Sequence, residues 1–204
     1  MFLHPSPPLL CHRKRARMTV IRAASLADAA AFQAIYAPYV LESTATLENV
    51  PPTVEEMRGR LAPMLDQGYP VLAAERDGRV IGYAYAGPAH KRPAYRPTVE
   101  NTIYLAQGET RGGVGAALMA ELFAAAEAAG FRQMIAVIAD AENRASLSFH
   151  ARQGFEQVAH WRAVAWKFGR WLDVFHYQKT LGGGDRVAPV EDGPACPAGP
   201  PTFR

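Results

Sequence analysis

A segment with strand patterning from Val99 leads through Gln107-Gly108-Glu109-Thr110 into Gly112-Gly113-Val114-Gly115, and a helical pattern starts at once. Unpaired N–H groups at a helix N-terminus carry partial positive charge and attract anions. Glycine there lets the main chain approach a diphosphate with no Cβ in the way. The turn alone leaves several readings open. A nucleotide P-loop requires Gly-Lys-Ser/Thr, and the lysine is missing. A dinucleotide-binding turn belongs near the first strand, with an acidic residue about 20 positions on; this Gly-Gly-x-Gly lies mid-chain after several strands. A turn that merely packs a helix on a sheet is the plain alternative. Elsewhere, Glu100 stands alone on a strand run, where such a residue ordinarily faces solvent. Arg92, Tyr95 and Arg96 flank Pro93, and guanidinium groups grip oxyanions with paired hydrogen bonds that lysine cannot imitate. His90, His160 and His176 lack metal-ligand spacing, so no metal is expected.

Strand and helix patterns alternate around these residues. Thr19 to Arg22 reads as a short strand. Ser25, with Asp28 three residues on, caps a helix from Ala29 to Tyr39. Pro51-Pro52 breaks the chain, and Thr53 with Glu56 forms a capping box for a second helix that Pro63 should end or kink. Val71–Arg76 and Arg79–Ala86 flank the hairpin turn Asp77-Gly78. Val99–Leu105 is a strand, Gly113–Ala129 a long helix stopped by Gly130, and Arg132–Ala139 a buried strand. Ser146–Gln153 is helical up to Gly154. Phe155–Trp161 and Leu172–Leu181 form a last hairpin through Phe168-Gly169-Arg170. The expected fold class is α/β, with about seven strands in a mixed sheet and helices on both faces.

A second motif narrows the open readings. Asn143-x-x-Ser146-x-x-x-His150-x-x-x-Gly154-Phe155 resembles the late helix and following strand of the GNAT superfamily of N-acetyltransferases. Thr110-x-x-Gly113-x-Gly115 resembles that superfamily's diphosphate motif, and the order and separation of the two also match. The family usually has Gln or Arg where Thr110 stands; Arg111, one place later, is the nearest cation. Ala86-Gly87-Pro88, Arg92-Pro93-Ala94-Tyr95-Arg96, Thr98-Val99-Glu100 and Lys167-Phe168-Gly169-Arg170-Trp171-Leu172-Asp173 are similar to the phosphinothricin and methionine sulfoximine N-acetyltransferases, over roughly residues 19–181.

The resemblance implies a GNAT fold that uses acetyl-CoA to acylate the amine of a small amino-acid-like substrate by direct attack. It implies Glu100 as the base or amine-binding group, since an amine must lose a proton before attacking a thioester. It implies a cofactor site of Tyr104, Leu105, Thr110, Arg111, Gly112, Gly113, Val114, Gly115, Asn143 and Ser146. A main-chain N–H near Tyr104 or Leu105 would face the charge developing on the carbonyl oxygen. Arg92, Tyr95 and Tyr104 would bind substrate. His150, where the superfamily commonly has Tyr, would protonate the thiolate, orient substrate or cap its helix. A homodimer is implied, with the late aromatic hairpin (Trp161, Trp166, Phe168, Trp171) as its expected interface. The alternatives are a protein or peptide acetyltransferase and a non-catalytic acyl-CoA sensor; the latter should have lost Glu100 and His150.

Composition bounds the rest. At 204 residues the chain suits one domain with tails, and its balance of 49% apolar to 20% charged residues is that of a soluble globular protein. No run approaches the roughly 18 apolar residues of a membrane span. Arg13, Lys14, Arg15 and Arg17 account for the formal charge of +3, so the folded body has no excess of positive charge and nucleic acid is not an expected partner. Residues 1–17 read as a disordered or extraneous extension, 18–181 as the acetyltransferase domain, and 182–204 as a disordered tail. Cys11 and Cys196 fall in those tails, which argues against a cysteine nucleophile and fits a reducing cytoplasm.

Overall fold

Two capping boxes start the helical layer on one face of the sheet. In the computed structural model, which describes residues 18–110 and 112–189, Ser25 accepts from Ala27 N while Asp28 accepts from Ser25 N at 2.8 Å. A 3-10 turn then leads into α1 (Ala29–Glu42). Thr53 and Glu56 bond reciprocally, at 3.1 and 2.7 Å, at the head of α2 (Val54–Asp66). Pro63 does not end this helix. It opens the last turn, where it removes a single N–H, and the buried Leu61 and Met64 hold the end of the helix against the sheet. The extension over 1–17, Arg111 and the tail beyond 189 lie outside the described residues, as do both cysteines.

The strands are β1 (Val20–Ala23), β2 (Val71–Arg76), β3 (Arg79–Pro88), β4 (Thr98–Leu105), β5 (Gln133–Ala139), β6 (Glu156–Lys167) and β7 (Arg170–Thr180). They form one sheet of order β1-β2-β3-β4-β5-β7-β6, antiparallel except between β4 and β5. The expected seven-stranded mixed sheet is therefore present. Asp77 and Gly78 turn the β2–β3 hairpin with φ of 52° and 73°, the left-handed pair that a two-residue turn requires. Phe168 and Gly169, at 49° and 74°, do the same between β6 and β7. That hairpin is longer than the pattern suggested. Bulges at Gln157/Ala159 and Trp161/Ala165 interrupt its alternation and hide its period from sequence reading. Beyond Leu181, a 3-10 turn at Gly184–Arg186 opens the segment expected to be unstructured.

Two apolar layers sandwich the sheet. On one face α1 and α2 bury Phe32, Val40 and Leu61 against Tyr83, with Phe32 and Tyr83 stacked at 4.2 Å. On the other, α3 (Val114–Ala128) buries Leu118, Met119 and Leu122 against Ile81, Val99 and Met134. Each fully buried side chain of this kind contributes about 1.5–3 kcal/mol. α4 (Arg144–Arg152) adds Leu147 and Phe149 to this second layer.

Candidate active site

The parallel ladder between β4 and β5 has three rungs, Thr98–Gln133, Val99–Met134 and Glu100–Ile135. Beyond them the strands part, because β3 holds β4 along its whole length while β7 holds β5. Residues 101–105 and 136–139 therefore face each other across an opening with no ladder between them. Main-chain groups left so need a partner. A cleft of about 750 Å³ occupies the opening, within the size range of small-molecule and cofactor sites.

Thr110, Gly113, Gly115 and Ala116 line one part of this cleft. Gly113 is the N-cap of α3 at φ 76°, and no side chain caps that helix. Its first N–H groups are thus open to an anion. A Cβ on Gly115 would meet Leu105 Cδ1 and Phe149 Cε2 at 3.5 Å, which is ordinary contact. Asn143 caps α4, its Oδ1 accepting from Ser146 N at 3.3 Å, and Asn143, Ser146 and Phe149 border the same cleft. Val114 differs from its neighbours: its side chain is buried in the core, so only its main chain is available. Gly112 is exposed at the loop beside the cleft.

The strand β4 alternates its side chains between the two faces. Val99, Ile103 and Leu105 join the α3 layer, while Tyr104 joins the α1–α2 layer, and by the same period Glu100 and Thr102 point with Tyr104. Tyr104 packs edge-on to Tyr36 at 4.9 Å and tilted against Tyr39 at 4.9 Å. Tyr39 donates to Leu105 O at 2.7 Å. Tyr36, Tyr39, Tyr83, Tyr85 and Tyr104 make a phenolic wall, and burial holds Tyr36 up at about 12, so it stays protonated. Glu100, half-buried and without an ion-pair partner among the described residues, is pushed above the ordinary carboxylate range by burial. A carboxylate so placed takes up a proton more readily than an exposed one.

His150 lines the cleft but is only 5% exposed, wedged edge-to-face between Phe149 and Phe155. Its Nδ1 is 2.9 Å from Ser146 O, which can only accept, so Nδ1 carries the proton. Nε2 is then the acceptor for Asn101 Nδ2 at 3.1 Å. Burial lowers the imidazole's pKa, which keeps it neutral. With both nitrogens engaged, the ring is arranged as a strut between α4 and β4. The expected acid role therefore lacks a proton at Nε2.

Arg92 and Tyr95 do not reach the cleft, contrary to expectation. Pro93–Tyr95 forms a 3-10 turn that carries both outward; Tyr95 is 46% exposed and packs on His90 at 4.6 Å. Arg96 also lies outside the cleft lining. The cleft's other wall comes from the irregular segment between α1 and α2. Thr46 bonds to Tyr36 OH at 2.5 Å, and its carbonyl accepts from the buried Lys167 at 2.9 Å. Thr44 donates to Asp140 at 2.5 Å, and Arg170 holds that carboxylate from the hairpin. Glu48 accepts from Tyr36 OH at 3.0 Å and from both terminal nitrogens of Arg60 at 2.6 and 3.0 Å. Sequence reasoning named none of Tyr36, Thr46, Glu48, Arg60 or Tyr85. The available signal was a long, Pro-broken connection between helices, the kind of loop that often carries function.

A sheet split beside an uncapped, glycine-started helix is the hallmark of one fold class, and comparison with known proteins places the chain in it. The family model "Acetyltransferase (GNAT) domain" matches residues 21–175, and the chain belongs to that family. Among curated relatives, the phosphinothricin N-acetyltransferase of Alcaligenes faecalis is 42% identical over 91% of this chain and 96% of its own. The L-methionine sulfoximine/L-methionine sulfone acetyltransferase of Pseudomonas aeruginosa is 35% identical over 79% and 94%. Among solved structures, a GNAT superfamily phosphinothricin acetyltransferase from Sinorhizobium meliloti in complex with AcCoA superposes with a TM-score of 0.82. It is 40% identical, covering 86% of this chain and 95% of that one. Among the described residues, no three His, Cys, Asp or Glu side chains gather as a metal site, and no helix is long and apolar enough to cross a membrane.

Proposed function

We propose that this protein transfers the acetyl group of acetyl-CoA to the amino group of a small amino-acid-like substrate by direct attack. The observation that carries the reading is the meeting of two unlike features in one cleft. An open helix N-terminus at Gly113 suits a diphosphate, and a half-buried carboxylate at Glu100, unpaired among the described residues, suits an amine. The main chain of Gly112, Gly113, Val114 and Gly115 would hold the diphosphate, with Thr110 and Arg111 beside it. Asn143 and Ser146, at the head of α4, would border the pantetheine arm. Acetyl-CoA supplies the activated acyl group; the unladdered main chain near Tyr104 and Leu105 would face its thioester carbonyl and stabilise charge developing on the oxygen. Glu100 would accept the amine's proton. His150 would fix Asn101 and hence β4, a positioning role.

A small acceptor is favoured over a peptide because phenols and the 43–48 segment wall in the Glu100 end. A mere sensor has no use for an unpaired carboxylate there. The exposed aromatics Trp161, Trp166, Phe168 and Trp171 support a homodimer through the β6–β7 hairpin, and a folded body without cysteine suits the cytoplasm. The test is thiol release from acetyl-CoA with phosphinothricin, methionine sulfoximine, methionine sulfone, common amino acids and a peptide. Turnover with one or more of the amino acids is expected. Turnover with the peptide alone overturns the proposal.

A further inference from the structure

We infer that Arg60 is the residue that reads an oxyanion of the acceptor, with Glu48 as its built-in competitor; the inference rests on the proposed acetylation of an amino-acid-like substrate. With Arg92 and Tyr95 turned outward, Arg60 and Arg152 are the cationic side chains lining the cleft among its described residues. They sit at different ends. Arg152 is in the last turn of α4, whereas Arg60 reaches in from α2 beside Glu48, Tyr36 and Tyr85. Tyr85 feels the charges of Arg60, Glu100 and Glu48 together, so these groups share one neighbourhood around the proposed base.

The geometry leaves Arg60 capacity for a ligand. Glu48 takes the edge formed by the two terminal nitrogens. The side-on edge, which includes Nε–H, has no hydrogen-bonded acceptor among the described residues, and the side chain keeps 45% of its surface exposed. A guanidinium has five N–H donors and can hold two carboxylates on two edges. Glu48, meanwhile, leaves the pair without net charge and competes with any arriving anion. Arg60 and the α1–α2 loop are thereby coupled: Lys167 holds Thr46, Thr46 meets Tyr36, and Tyr36 meets Glu48.

The oxyanion is either the α-carboxylate or a side-chain group such as phosphinate, and substrates can separate them. The experiment compares kcat/KM of the wild type, Arg60→Gln and Glu48→Gln for methionine sulfone, phosphinothricin and the α-amide of each. Arg60→Gln is expected to lower kcat/KM at least about tenfold for acceptors that keep the oxyanion read, as befits a lost charge-assisted bond. A loss confined to the two free acids assigns the α-carboxylate; a loss confined to phosphinothricin and its amide assigns the side chain. KM for acetyl-CoA should hold steady, and Glu48→Gln should lower KM for the oxyanionic acceptors. An equal loss on all four, including the amide of methionine sulfone, overturns the inference, because a damaged fold spares no acceptor. So does no loss at all. If the wild type acetylates none of them, the proposed function fails instead.

Discussion

Replacing Glu100 by glutamine removes a base while keeping the shape of the side chain. General-base assistance ordinarily contributes 10²–10⁴ in rate, or about 3–5 kcal/mol, so kcat with a good amino-acid acceptor should fall at least about 10²-fold. Among the described residues Glu100 has no ion-pair partner to strand, and its carboxyl is already disfavoured in its charged form by burial. The fold should therefore not suffer. Burial raises the folded-state pKa above the unfolded value, so the native state holds the proton more tightly. The stability this contributes is complete below the unfolded pKa and is lost as pH rises through the folded one. At neutral pH, then, the glutamine variant should melt no earlier than the wild type, and slightly later if the penalty is large. The same raised pKa places the acid limb of wild-type kcat/KM above the ordinary carboxylate value of about 4.3, with activity falling as pH drops through it. Stopped assays of thiol release between pH 5 and 9, paired with thermal melts, read both effects. A variant within about threefold of wild-type kcat, with the acid limb intact, would show that the amine loses its proton to something else.

Other substitutions separate the roles of neighbouring residues. Gly113→Ala forces a side chain into φ 76°, which should cost about 1–2 kcal/mol in melting stability and raise KM for acetyl-CoA as the α3 N-terminus shifts. Gly115→Ala meets only ordinary contacts, so its stability and KM should change little; a reversed order of the two variants contradicts the assignment of the open N-terminus. His150→Gln should lower kcat through loss of the Asn101 contact while leaving the basic limb of the pH–rate profile in place, and disappearance of that limb would restore an acid role. Thr53→Ala removes the side-chain half of an exposed capping box, the bond from Glu56 N to Thr53 Oγ1, and should cost about 1 kcal/mol in chemical denaturation with kinetics unchanged.

The sheet and its order of elements were legible in the chain because main-chain geometry dictates them, and the proposed donor half of the site rests on the same kind of signal. Asp77-Gly78, Gly113 and the Thr53–Glu56 box each require particular residue types at fixed offsets, and such requirements survive in sequence as spacing. Pro63 does not end its helix because its effect depends on depth within the helix, where tertiary burial of Leu61 and Met64 outweighs one lost hydrogen bond. Arg92 and Tyr95 misled. A run of suitable side chains says nothing about the direction a 3-10 turn will send them.

The acceptor half follows a different logic, and that explains why it stayed hidden. Tyr36, Thr46, Glu48 and Arg60 belong to two helices and the loop between them, with Tyr85 brought in from β3. Side chains alone join them, through hydrogen bonds that no offset in sequence can encode. A diphosphate is the same in every acetyl-CoA, so the main chain can hold it with a fixed motif. Acceptors differ by an atom or two, and only side chains from separate elements can be exchanged one at a time to tell them apart. Lys167 ties this loop to the β6–β7 hairpin by a single bond to Thr46 O, with burial lowering its pKa. The hairpin's outer face is aromatic and exposed, while its inner residue holds the acceptor wall. On the proposed function, acceptor selectivity is therefore built where the α1–α2 loop meets the β6–β7 hairpin, apart from the main-chain grip on the donor.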